Sequence, residues 1–102
     1  MTLRENQSLF VELIAELIIH AYKQGFEMTF GDAWAKTGHR HNSNHYIRLA
    51  IDLNLFKDGV WLQRTVDHLE LGNYWESLNP LCCWGGRWND GNHYSLSHEG
   101  RK

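Results

Sequence analysis

The hydrophobic and polar positions change period several times along the chain, and each change marks an element. Leu9, Phe10, Leu13, Ile14, Leu17 and Ile18 recur at helical spacing and form one broad apolar stripe, which predicts an amphipathic helix. Thr2 and Glu5 form a capping box ahead of it, and Gly25 is its stop signal. The opposite face carries Glu12 and Glu16 rather than a basic row, so the stripe belongs in a core and not on a membrane surface. Phe26, Met28 and Phe30 then alternate with Glu27, Thr29 and Gly31, which predicts a short strand. From Asp32 to Asn42 the period is lost, and a polar loop follows.

The stretch from Ser43 to Leu55 organises the rest. Ala50, Asp52 and Asn54 share one parity and Ile51, Leu53 and Leu55 the other, the pattern of a half-buried strand. Asp52 is an awkward strand residue, and a buried carboxylate needs a cation or several donors beside it. Asp58-Gly59 is hairpin chemistry, with Val60, Trp61 and Leu62 returning as a partner strand. Thr65 to Glu70 reads as a connector. Leu71, Tyr74, Trp75 and Leu78 mark a short helix that ends before Pro80 and turns those residues to the core. Cys82 to Trp88 reads as a loop, and His93 to Leu96 alternates again as a strand. The tail from Ser97 to Lys102 is polar and is expected to fray. These elements predict one α+β domain spanning 1–102, in which a long N-terminal helix and a short helix pack on a small antiparallel sheet.

Two of these strands carry chemistry. His45 stands seven residues before Asp52, a spacing that suits a structural salt link as readily as a metal site. His93, on the polar parity of the last strand, shifts that balance. Two imidazoles and a carboxylate form a donor set suited to zinc, with a fourth position for water. Asp90, on the Asp-Gly turn three residues before His93, can reach that water without being a ligand. A metal with a free carboxylate beside it is the equipment for hydrolysis.

Ser43-x-His45 followed by Ala50-x-Asp52, with Asp90-x-x-His93 near the C-terminus, resembles the motif of the M15 zinc peptidases. These are D-alanyl-D-alanine carboxypeptidases and L-alanyl-D-glutamate endopeptidases of bacterial wall peptides, and they share a fold with the Hedgehog signalling domain. The runs Leu49 to Phe56, Leu71 to Leu78 and Trp84-Gly85-Gly86 are similar to those of small phage-borne, endolysin-like members. The resemblance implies Zn2+ as cofactor, His45, Asp52 and His93 as its ligands, Asp90 as general base, and the peptidoglycan stem peptide as substrate. Ser43 and Arg40 are the candidate substrate-binding residues. Two departures stand out. Where members carry an arginine that grips a substrate carboxylate, this chain has Trp34-Ala35-Lys36-Thr37, leaving Arg40 or Lys36 to supply the charge. Arg48 occupies a position that is glycine in the family pattern.

Composition narrows the alternatives. A net charge of -2 and a pI near 6.4 provide no global basic field, which disfavours nucleic acid as a partner. An HNH-type nuclease, suggested by the His and Asn residues of 38–45 and 90–93, is disfavoured further because such nucleases place a helix after the metal strand pair, and none is expected after the last strand here. A wall-binding module of the same fold with little activity is the other alternative, motivated by the missing arginine. Five tryptophans suit an aromatic core or an aromatic-lined groove. Cys82 and Cys83 are adjacent, not in a C-x-x-C arrangement, and read as reduced thiols. His39 and His41 read as exposed loop histidines. Asp67 and His68 are considered as partners orienting a ligand imidazole, with a surface role preferred. The N-terminal residues do not read as a secretory leader, and no apolar run approaches the roughly 18 residues needed for a span. The expectation is therefore a monomer made in the cytoplasm, without stable membrane insertion, that reaches the wall with help such as a holin.

Overall fold

A computed structural model describes residues 1–39 and 42–102, so Arg40 and His41 lie outside the described residues. The chain forms helix α1 (Leu3–Lys23), strand β1 (Glu27–Phe30), strand β2 (Ala50–Lys57), strand β3 (Val60–Leu62), helix α2 (Leu69–Leu78), strand β4 (Cys82–Trp84) and strand β5 (His93–Leu96). Short 3₁₀ turns occupy Asn44–Ile47, Thr65–His68 and Gly85–Trp88. This is the expected α+β architecture. No helix among the described residues is long and apolar enough to cross a membrane.

Local chemistry accounts for the boundaries. At the start of α1, Glu5 N–H donates to Thr2 Oγ1 at 3.1 Å and Thr2 N–H to Glu5 Oε1 at 2.9 Å, completing the capping box. The β2–β3 turn places Asp58 at φ 52° and Gly59 at φ 79°, the two left-handed residues that a tight hairpin requires. Every pairing is antiparallel, in the order β1-β2-β5-β4, with β3 alongside β2.

The alternation of β2 sorts its side chains as the sequence predicts. Ile51, Leu53 and Leu55 enter a core with Phe10, Leu13, Ile14 and Leu17 of α1, Leu71 and Trp75 of α2, and Tyr94 and Leu96 of β5. Trp75 satisfies its buried Nε1–H with the carbonyls of Cys83 and Ser95, each at 3.1 Å, and so ties α2 to β4 and β5. The other parity carries Asp52, and β5 pairs with β2 so that His93 lies directly opposite it.

Two expectations are corrected. Cys82 to Trp84 is a strand and not loop, because β5 offers an open edge on which three residues suffice. Both cysteines are free thiols. The tail does not fray. Ser97 N–H donates to Leu81 O at 2.7 Å, and the main chains of His98 and Arg101 bond to each other in both directions. Arg101 reaches the carbonyls of Asn42 at 3.2 Å and Ser43 at 3.1 Å. The tail thus closes on main-chain carbonyls, a gain that its composition does not reveal.

Candidate metal centre

Three elements deliver one donor each. Asp52 and His93 face each other across the β2–β5 pairing. His45 arrives from the 3₁₀ turn before β2, where Ser43 Oγ accepts from His45 N–H at 3.2 Å. Asn44 fastens the same turn to the sheet through Nδ2–H to Leu96 O at 2.7 Å. Arg48 then reverses the chain at φ 59°, the left-handed region, so that β2 can start at Ala50. That conformation explains why glycine suits this position.

The donor atoms converge. His45 Nε2 lies 3.2 Å from Asp52 Oδ1 and 3.2 Å from His93 Nδ1, and His93 Nδ1 lies 3.7 Å from Asp52 Oδ1. A tetrahedral ion held at about 2.0–2.1 Å spaces its donors roughly 3.3–3.4 Å apart, so the triangle has the right size for zinc. Both imidazoles are buried and the carboxylate largely so. Asp52 Oδ1 is buried without a well-formed hydrogen bond, although His45 Nε2 stands 3.2 Å away and His93 Nδ1 3.7 Å away. A buried carboxylate oxygen so placed, facing two ring nitrogens, fits a cation in the space between them. Burial pushes the Asp52 carboxyl upward, but His45 and His93 together outweigh it and hold it down at about 2. The carboxylate is therefore ionised at neutral pH.

The surroundings fix these groups. Asp52 N–H donates to Asp32 O at 2.8 Å and its carbonyl accepts from Gly31 N–H at 2.7 Å, which extends the β1 edge to the site. His93 Nε2 lies 3.2 Å from the main-chain oxygen of Lys102. Gly85 packs so closely that an added Cβ would sit 2.3 Å from Asp90 O and 2.6 Å from His93 Cβ. Asp90 N–H donates to Gly85 O at 2.9 Å and His93 N–H to Asp90 O at 3.1 Å, setting the turn between them. Asp90 Oδ2 stands 3.9 Å from His93 Nδ1 with its side chain half exposed, outside the donor triangle but at its mouth.

A cavity of about 300 Å³ opens over the triangle, lined by Gly38, His39, Ser43, His45, Trp88, Asp90 and His93. Trp88 thus walls the cleft, its ring 5.4 Å from that of His93, whereas Trp84 is buried in the core. His39 is closer to the chemistry than its loop suggested. Its ring stacks on His45 at 4.0 Å and 14°, its Nε2 meets Asp32 Oδ2 at 2.8 Å, and the Tyr46 hydroxyl donates to its carbonyl at 2.6 Å. Aperiodic sequence gave no register for this contact, and only the density of histidines hinted at it. Lys36 instead lies over the Trp34 ring at 5.5 Å. Asp67 pairs with Arg64 at 3.1 Å, and His68 turns Nδ1 to the Tyr94 hydroxyl at 2.7 Å, so neither serves a ligand imidazole; His68 is buried, not at the surface. Lys102 O and Arg101 were not singled out from the sequence, because main-chain oxygens, which are also the partners of Arg101, leave no residue-type signal.

A family model described as D-alanyl-D-alanine carboxypeptidase, of peptidase group M15, matches residues 36–96. That span covers more than half of the chain and contains His45, Asp52, Asp90 and His93. No curated protein matches the chain.

Proposed function

The chain belongs to the M15 peptidase family, and on that premise we propose that it is a zinc-dependent hydrolase of peptidoglycan stem peptides. His45, Asp52 and His93 are the zinc ligands in this reading and Asp90 is the general base. The observation that supports it is the donor triangle, in which an ionised carboxylate oxygen and two imidazole nitrogens stand 3.2 to 3.7 Å apart.

When bound, zinc would supply Lewis acidity, polarising the scissile carbonyl and acidifying the attacking water. Asp52 contributes the negative charge that offsets the cation. Asp90, outside the triangle and half exposed, accepts the proton of the attacking water and returns it to the departing amine. Trp88 and His39 wall the cleft and narrow the approach of bulk water. Ser43 lines the same cavity, and Arg40 is assigned to the substrate carboxylate. The substrate bond is L-alanyl-D-glutamate or D-alanyl-D-alanine, the protein acts as a monomer on the wall, and a phage lysis enzyme released by a holin is the biological setting.

A second reading, a wall-binding module with little activity, is favoured by one observation. Among the described residues, the cavity over the triangle has no Lys or Arg in its lining. Digestion of purified sacculi separates the two. Peptide release that a chelator abolishes and zinc restores supports the peptidase, with Asp90→Ala keeping its zinc but losing about 10²–10⁴-fold in turnover. Binding to sacculi without release, or release that survives thorough chelation, contradicts it.

A further inference from the structure

The face of β2 that carries Asp52 continues away from the metal centre as a track. Alternation puts Asn54 and Phe56 on it, each step of two residues advancing about 6.6 Å. Register sets Thr29 beside Asn54 and Trp61 beside Phe56. Asn92 reaches across to Asn54, Nδ2–H donating to Oδ1 at 3.4 Å. Trp61 is 52% exposed and lies nearly parallel to Phe56, ring centroids 6.2 Å apart at 20°, so its outer face is open.

A cavity of about 190 Å³ sits along this track, lined by Asn54, Trp61, Gln63, Thr65, His68 and the 89–92 turn. Asp90 borders both this cavity and the one over the metal centre, so the two adjoin. Complete ligand pockets begin near 300 Å³, and a space of this size holds one portion of a larger ligand. Its chemistry is specific. Among the described residues the lining offers amides, a hydroxyl and an imidazole, with no Lys or Arg, and the carboxylate of Asp90 on its border repels an acidic group. Uncharged hydrogen-bonding groups beside an exposed indole suit a sugar ring, whose hydroxyls and acetamido group meet the amides while its C–H face lies on the tryptophan.

We propose that this cavity is a sugar subsite for the N-acetylated hexosamine that carries the stem peptide, and that the bond cut is consequently the one after the first residue of the stem. The inference rests on the peptidase reading. Asn54 is one strand step from Asp52, about 7 Å, which the lactyl link and a single residue at about 3.5 Å span. A terminal D-alanyl-D-alanine bond lies four residues from the sugar, about 13–14 Å in an extended stem, which in that conformation carries the sugar past the subsite.

The test compares two substrates on the zinc-loaded protein, an N-acetylmuramoyl pentapeptide and the same pentapeptide capped by acetyl alone. Products are identified by mass spectrometry. The sugar is expected to raise kcat/KM by at least about tenfold, with cleavage after the first residue. Trp61→Ala and Asn54→Ala are expected to bring the ratio of the two rates toward one. A titration of wild type with N-acetylglucosaminyl-N-acetylmuramic acid should shift the side-chain amide resonances of Asn54 and Asn92. Equal rates for both substrates, a ratio untouched by either variant, or cleavage confined to the terminal bond overturns the sugar subsite and leaves the peptidase standing. Cleavage of neither substrate overturns the peptidase reading, and the subsite falls with it.

Discussion

His93 Nε2 lies 3.2 Å from the main-chain oxygen of Lys102, nine residues further on. A main-chain oxygen only accepts, so Nε2 carries the proton and Nδ1 turns its lone pair toward His45 and Asp52. Arg101 holds the tail in place through the carbonyls of Asn42 and Ser43, the segment that leads into His45. One arginine therefore steadies the approach to both imidazoles. Arg101→Ala is expected to weaken zinc binding by about 10–100-fold while helix content stays at its wild-type level. Competition with a fluorescent chelator measures the first and circular dichroism the second; an unchanged zinc affinity would mean that the tail plays no part in orienting His93.

Arg48 trades strain against a contact. Its φ of 59° costs a non-glycine residue about 1 kcal/mol, whereas its guanidinium over the Trp34 ring at 4.5 Å returns about 0.5–1 kcal/mol at an exposed site. Arg48→Gly removes both and is expected to match the wild type or exceed it slightly. Arg48→Ala keeps the strain and loses the contact, so it is expected to be the least stable of the three by about 0.5–1 kcal/mol. Urea midpoints of the three proteins give the order, and an alanine variant more stable than the glycine one contradicts it.

The opposition of Asp52 and His93 was legible because both sit on strands whose period exposes parity, and parity decides which side chains can meet. Asp58-Gly59 and the Thr2 box were legible for a similar reason, since each needs particular residue types at fixed offsets. Cys82 to Trp84 was not, because a strand of three residues is too short to show alternation. His39 on His45 depends on loop geometry that no period encodes. The tail closes on main-chain atoms that every residue carries, so its contact with His93 left no trace in the residue types.

His68 gives stability a pH dependence of its own. Burial pushes its imidazole down to about 4, against the opposing pull of Asp67, while the unfolded chain keeps the ordinary value near 6.5. Below 6.5 the unfolded chain binds a proton that the folded protein refuses. The contribution of His68 is thus complete above about pH 6.5, declines as pH falls, and is lost by about pH 4, a total on the order of 3 kcal/mol. The Asp52 carboxyl, held at about 2, weakens the fold only below the ordinary carboxylate range near 3.8, so the two windows separate. His68→Gln is expected to flatten the metal-free protein's stability between pH 6.5 and 4, read from urea midpoints at several pH values. An undiminished slope in the variant would assign the effect to another group.

Zinc binding by the metal-free protein tests the central claim most directly. Isothermal titration of the wild type is expected to give one equivalent, Asp90→Ala one equivalent, and Asp52→Ala and His93→Ala no tight binding. A full equivalent held as tightly by His93→Ala as by the wild type would contradict the ligand assignment and the hydrolase built on it.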